Sequence, residues 1–305
     1  MIIVTGTKRS GTSMWMQILI AAGFPPFGEA FPANWGKTIR DANPSGFYES
    51  LLRQGIYWRT NPHPRTGAYF FPEQVERHVV KVFIPGLVRS DRAYIGKVVA
   101  TVREWREYES SLSRLYSMED ETRRERAPES PDPVRFPAAL EWWSENFALV
   151  RDIAIRRFPV HVQSYDGLLA DPAAVIRRTL EWIGDPEVDI DKAIAAVEPR
   201  NRTQVRPESD TLEPEFAAIF DELYERIHGG GGLEMSFIRK LNEANVELAP
   251  RIKAAQKAVH EDQLARRERR RAARAAGKEP EPAQKGDEVL PGEAIAWTPD
   301  EHEED

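Results

Sequence analysis

Gly6 and Gly11 frame the stretch VTGTKRSGTS, residues 4–13, at the spacing of a phosphate loop of the form G-x-x-x-x-G-K-[ST], and Ser13 stands at its last position. Thr12 occupies the place of the lysine. A glycine-rich turn that feeds a helix aims backbone N–H groups and the positive end of the helix dipole at an anion, so Lys8 to Ser13 make a candidate phosphate cradle. Positive charge moves into the loop as Lys8 and Arg9, and Ser10, Thr12 and Ser13 add hydroxyls. That set suits a terminal phosphate already carrying its leaving group better than a metal-chelated triphosphate. The aspartate that helps a triphosphate loop hold magnesium is missing too, because the candidate second strand, KVVATVRE, ends in Arg103.

Such a loop works only if a strand and a helix hold it. Ile2 to Thr5 is short and β-branched, and TSMWMQILIAAG after the loop has helix-compatible apolar positions that close at Gly23. Near-continuous apolar runs follow at 78–85 (HVVKVFIP), 96–104 (GKVVATVRE) and 159–169 (PVHVQSYDGLL), as in strands buried on both faces. Helical stretches lie between them, so we expect an α/β fold: a three-layer sandwich around a central parallel sheet, similar to the P-loop nucleotide-binding proteins. The loop then sits at the carboxyl end of a strand, where open α/β sheets bind ligands. Trp142 and Trp143 fall on the apolar face of a helix and are expected in the core.

The 305 residues, 41% of them hydrophobic, can form one full-sized core plus an accessory segment. We expect a domain over 1–232, a basic helical extension over 233–277 and an acidic disordered tail over 278–305. The charged, proline-rich residues 119–135 are expected to be an exposed loop, either covering a substrate or crossing with no role. The basic helix is either a solvated face or a contact for acidic protein partners. A formal charge of -7 argues against a generic nucleic-acid binder, and no cysteine is present for disulfides or thiolate metal sites. The opening MIIVTG is too short for the apolar region of a signal peptide, and no apolar run reaches membrane-spanning length, so a cytoplasmic protein is expected.

RSGTS, Arg9 to Ser13, resembles the 5′-phosphosulfate loop of the sulfotransferases, which take a sulfuryl group from 3′-phosphoadenosine 5′-phosphosulfate (PAPS). The family's 3′-phosphate site is an arginine at a strand end and a serine eight positions on, and Arg103 and Ser111 match it. Arginine gives planar, charge-assisted contacts to a phosphate. In QSYDGLLADP, Tyr165 matches a tyrosine that lies near the adenine. Asp171 and Pro172 match the family's later Asp-Pro pair and also read as an ordinary helix start.

The resemblance implies transfer of a sulfuryl group from PAPS to a small-molecule or glycan hydroxyl, by in-line displacement and without a metal. The histidine base of cytosolic members has Phe83 in its place, within KVFIP, although Lys81 and Pro85 are retained. Other branches use a glutamate shortly after the loop helix, which makes Glu29 in GFPPFGEAF the expected base. Glu49 in NPSGFYES competes for that role or contacts substrate, and Trp35, Phe47 and Tyr48 are candidate aromatics for the acceptor pocket. Arg9 and Lys81 would stabilise the leaving bisphosphate and the transferring sulfuryl group, and Lys81, flanked by valines, needs an anionic partner nearby that the site would provide. Met14 stands where the family often stacks a tryptophan on adenine, and Trp15 follows it. Arg200 and Arg202 are further sources of charge. A P-loop kinase-like phosphotransferase and a non-catalytic nucleotide-binding scaffold remain alternatives.

Overall fold

Every residue of Ile2–Thr5 is buried, and this run forms β1, the central strand of the sheet. The computed structural model describes residues 1–31, 45–126, 130–197 and 207–275. Trp35, Arg200, Arg202 and the segment 278–305 lie outside the described residues. β1 leads into α1 (Thr12–Ala21), then come β2 (Pro26–Phe27), β3 (Val79–Lys81), α2 (Ile84–Arg89), β4 (Lys97–Val102) and α3 (Trp105–Arg126). α4 (Ala138–Arg156), β5 (Val160–Ser164), α5 (Tyr165–Ala170), α6 (Pro172–Ile183), α7 (Ile190–Ala195), α8 (Pro214–His228) and α9 (Met235–Ala275) complete the described elements.

The five strands are parallel in the order β2-β3-β1-β4-β5. Their side chains alternate between two covered faces, as the period of two in a strand requires. Ile2, Val4, Val79 and Val99 meet Trp15 and Leu19 of α1, Ile176 and Leu180 of α6 and Ala193 of α7. Ile3, Val80, Val98 and Ala100 meet Leu87 of α2 and Leu149 of α4. The fold is therefore α/β, with helices on both sides of one parallel sheet. β1 runs into α1 on one face, while β4 runs into α3, which packs with α4 on the other. Such a divergence opens a crevice at the strands' carboxyl ends.

Local sequence explains the elements that hold this edge. Asp171 caps α6 by accepting from the Ala174 N–H at 3.0 Å, Pro172 opens the helix, and Gly184 closes it at φ 69°. The apolar run 78–85 keeps only three strand residues, because Ile84 and Pro85 open α2.

Two expectations change. Residues 119–126 are not loop but the last turns of α3, and Arg123 there is buried, bonding Asp132 and, at 2.8 Å, the Ser130 carbonyl oxygen. Charges that suggest solvent in the sequence are paired across the fold. Nor is α9 a separate extension: Phe237, Leu241, Ala244, Leu248 and Ile252, at helical spacing, join Trp105, Trp143 and Phe220 in a third apolar cluster. Trp142 and Trp143 belong to that core, with the Trp143 and Phe220 rings stacked 4.8 Å apart. The basic end of α9 is mixed, because Arg266 is buried while Arg267 and Arg271 are exposed. Among the described residues no helix is long and apolar enough to cross a membrane.

Candidate functional site

The glycines of the loop are required by close approach. A Cβ on Gly6 would stand 2.5 Å from the Thr101 carbonyl oxygen, so only glycine lets the loop lie against β4. Gly11 has φ 98°, and a Cβ there would stand 2.8 Å from the Tyr165 ring. Arg9 adopts a left-handed φ of 64°, which turns the chain between them. The Ser10 hydroxyl donates to the Thr7 carbonyl at 2.7 Å and the Thr101 hydroxyl donates to the Ser10 carbonyl at 2.9 Å, so Ser10 braces the loop. Gly11 is the N-cap of α1 and has no side chain to satisfy the first N–H groups of that helix, which stay available to an anion.

A cavity of about 570 Å³ opens over this loop, a volume in the range of small-molecule sites. Lys8, Arg9, Gly11, Thr12, Ser13, Lys81, Arg103, Ser111, Tyr165 and Glu49 all line it. They come from the carboxyl ends of four neighbouring strands: the loop follows β1, Lys81 ends β3, Arg103 follows β4 and Tyr165 follows β5. Ser10 is not among the lining residues.

Arg9 and Arg103 face one another. Arg9 Nε donates to the Ser111 hydroxyl at 3.3 Å, and Arg103 Nη1 donates to the Arg9 carbonyl at 3.2 Å. Arg103 is held by Glu107 at 3.2 Å, and its guanidinium lies 4.8 Å from the centre of the Tyr165 ring. Burial first, then the charge of Arg103, pushes the Arg9 guanidinium below its usual range. Arg103 already has Glu107 beside it, and an anion next to Arg9 offsets the cost of burying that second charge.

Lys81 is buried and donates to Glu49 Oε1 at 2.8 Å, the Ser13 hydroxyl at 3.0 Å and the Phe47 carbonyl at 3.0 Å. An unpaired ammonium there would cost several kcal/mol, so the partner that the strand environment demands is Glu49 and not only a bound ligand. Burial pushes Lys81 below the usual lysine range, and Glu49 works against that shift. Arg53, four residues after Glu49, donates to its other oxygen at 3.1 Å.

Other assigned residues do not converge. Glu29 is exposed, does not line the cavity, and forms an isolated antiparallel bridge with Glu49. Tyr48, at φ 51°, packs on the cluster beneath α1, and its neighbour Phe47 lines the cavity instead. Trp15 is fully buried in that cluster, while Met14 reaches the cavity.

On the opposite wall, Glu119 and Arg135 fall in the stretch considered for covering a substrate, while Tyr116, Glu141, Glu145, Val259 and Gln263 were missed from sequence. Glu141 and Glu145 of α4, Tyr116 and Glu119 of α3 and Arg135 line it, and Val259 and Gln263 of α9 close it. Arg135 lies 3.9 Å above the Tyr116 ring and binds Glu119 at 3.2 Å and Asp120 at 2.8 Å. Arg266 pins the chain beneath it by donating to the Pro131 carbonyl at 2.8 Å. The i, i+4 spacing of Glu141 and Glu145 was a readable signal for paired carboxylates on one helix face. No family model matches the chain, and no curated protein matches it.

Proposed function

We propose that the chain transfers a sulfuryl group from PAPS to a hydroxyl acceptor, on a P-loop-like sheet edge. The observation that carries this reading is the convergence of two cationic clusters on one cavity: Arg9 with Arg103 and Ser111, and Lys81 with Ser13. A donor with a 3′-phosphate and a 5′-phosphosulfate needs two such places. The α1 N-terminus with Arg9 and Lys81 suits the 5′ end, and Arg103 with Ser111 suits the 3′-phosphate, beside the Tyr165 ring.

In the proposed reaction the acceptor oxygen forms a bond to sulfur as the bond from sulfur to the bridging phosphate oxygen breaks. Arg9 and Lys81 stabilise the negative charge that stays on the departing bisphosphate. The acceptor proton goes to a carboxylate. Glu49 is favoured over Glu29 for this, because it lines the cavity and Glu29 does not; taking the proton loosens its pairing with Lys81 and Arg53.

Calorimetry with adenosine 3′,5′-bisphosphate tests the binding step. The intact chain is expected to bind it, and Arg9→Ala to weaken binding by roughly 10- to 150-fold, the worth of one hydrogen bond to a charged group. Retained affinity in that variant, or no binding by the wild type, refutes the assignment. Glu49→Gln is expected to keep bisphosphate binding and lose turnover of PAPS.

A further inference from the structure

Tyr165 touches both parts of the anion site: its ring lies 4.8 Å from the Arg103 guanidinium, and a Cβ on Gly11 would strike it at 2.8 Å. It is also the first residue of α5, a helix of six residues. A helix that short has no stability of its own, so its neighbours decide where Tyr165 stands. Both residues that flank Tyr165 are held by α8. The Tyr224 hydroxyl donates to Asp166 Oδ2 at 2.7 Å, and the Ser164 hydroxyl and His228 Nδ1 are hydrogen-bonded at 2.9 Å. Ser164 also caps α5 by accepting from the Gly167 N–H at 3.0 Å, and a Cβ on Gly167 would stand 2.8 Å from that hydroxyl oxygen.

Farther back on α8, Asp221 accepts from Trp105 Nε1 at 2.8 Å and from the two Arg106 amino groups at 2.6 and 3.0 Å, at the start of α3 just after Arg103. Asp221, Tyr224 and His228 are spaced i, i+3, i+7, which puts them on one face of the helix. Phe216, Phe220 and Leu223 seat the same helix in the apolar cluster shared with α4 and α9. Tyr224 is buried, and its bond to a carboxylate is of the stronger, charge-assisted kind.

We propose that α8 is a strut that sets the nucleoside end of the site, with Tyr224 and His228 as positioning residues that act through Tyr165. Neither of them lines the cavity over the loop, so neither touches the ligand. Asp221 ties the strut to the start of α3, and one helix thereby keeps Tyr165 in register with Arg103. The inference rests on the sulfuryl-transfer reading for the identity of the nucleotide; the hold on the turn around Tyr165 stands apart from it.

The test is a double-mutant cycle on the full chain, read by calorimetry with adenosine 3′,5′-bisphosphate. Tyr165→Ala is expected to weaken binding by about 5- to 150-fold, the worth of one aromatic ring against a base. Tyr224→Phe removes only the hydroxyl and is expected to weaken binding by about tenfold or more, since misplacing a positioned group by about 1 Å can cost about 100-fold. In the Tyr165→Ala chain the same change is expected to have no further effect. Asp166→Asn keeps an oxygen for the Tyr224 hydroxyl and is expected to bind as the wild type does. His228→Ala, at an exposed residue, repeats the cycle and decides the matter if Tyr224→Phe does not fold. Unchanged affinity in these variants, or losses that add to that of Tyr165→Ala, overturns the strut and leaves the sulfuryl-transfer reading standing. A second arm needs no nucleotide: amide hydrogen exchange, read by mass spectrometry, is expected to quicken in residues 164–168 of Tyr224→Phe and His228→Ala while β1 and β3 stay protected. A wild-type chain that ignores the bisphosphate breaks the sulfuryl-transfer reading, and the exchange then decides the strut: quickening confined to that turn upholds it, and unchanged exchange overturns it.

Discussion

The two walls of the cavity solve the problem of buried charge in opposite ways. On the strand side, Lys81 lies between Glu49, Ser13 and Phe47, and Glu49 is shared with Arg53. Its internal pairing is complete before any ligand arrives, which fixes the position of the ammonium. On the helix side, Lys8 meets one oxygen of Glu141, and Glu145 and the Tyr108 hydroxyl lie buried beside that carboxylate. The first wall matches its cations with carboxylate, and the second buries more carboxylate than the one lysine beside it can match.

The comparison breaks most visibly at Glu49. Glu49→Ala leaves Lys81 buried without its carboxylate and is expected to lower stability by about 3–5 kcal/mol, measured as a fall in the urea midpoint. If stability is unchanged, the pairing does not organise the strand wall.

Glu145 should act through pH instead. Its carboxyl, raised to about 8 from an ordinary 4.5, keeps its proton in the folded state while the unfolded chain loses it. The folded state then binds more protons, so stability falls as pH rises from about 4.5 to about 8, and the loss is complete above that window. Glu141 on the same helix and Lys8 from the loop set this balance, with the buried Tyr108 hydroxyl of α3 beside them. Glu145→Gln is expected to flatten the profile in that window, measured by urea unfolding at pH 5 and pH 8; an unchanged slope removes the surplus of carboxylate from this wall. Glu29→Gln should have the smallest effect. Its exposed side chain makes a stability change within about 0.5 kcal/mol the expectation, with bisphosphate affinity unchanged. A loss of turnover in Glu29→Gln equal to that in Glu49→Gln would return the base role to Glu29.

The strand wall was largely legible in the sequence because its signals are local. The glycine spacing, the β-branched run before it, Asp171-Pro172 and Gly184 each act within a few residues. Lys81 between valines announced a need for an anion, but the distant segment that delivers Glu49 to it could not be read from spacing. Which of Phe47 and Tyr48 faces the cavity turns on a left-handed backbone at Tyr48, a conformation that the residue type does not announce. The helix wall was hidden for a different reason. Glu119, Asp120, Arg123 and Arg135 look solvated one by one and are paired because the chain after α3 folds back along it, where Arg266 of α9 holds the Pro131 carbonyl. Separating α9 from the rest rested on composition, while its apolar stripe decided its packing.

That packing has a consequence for the order in which the site comes into being. The loop, both arginines and the strand lysine belong to the first 103 residues, whereas Val259, Gln263 and the Arg266 clamp belong to the last described helix. During synthesis the anion-binding half can form around its sheet while the far wall has yet to emerge. The wall that Val259 and Gln263 supply is complete only when α9 has packed on α4 and α8, so the last described helix to be synthesised finishes the cavity.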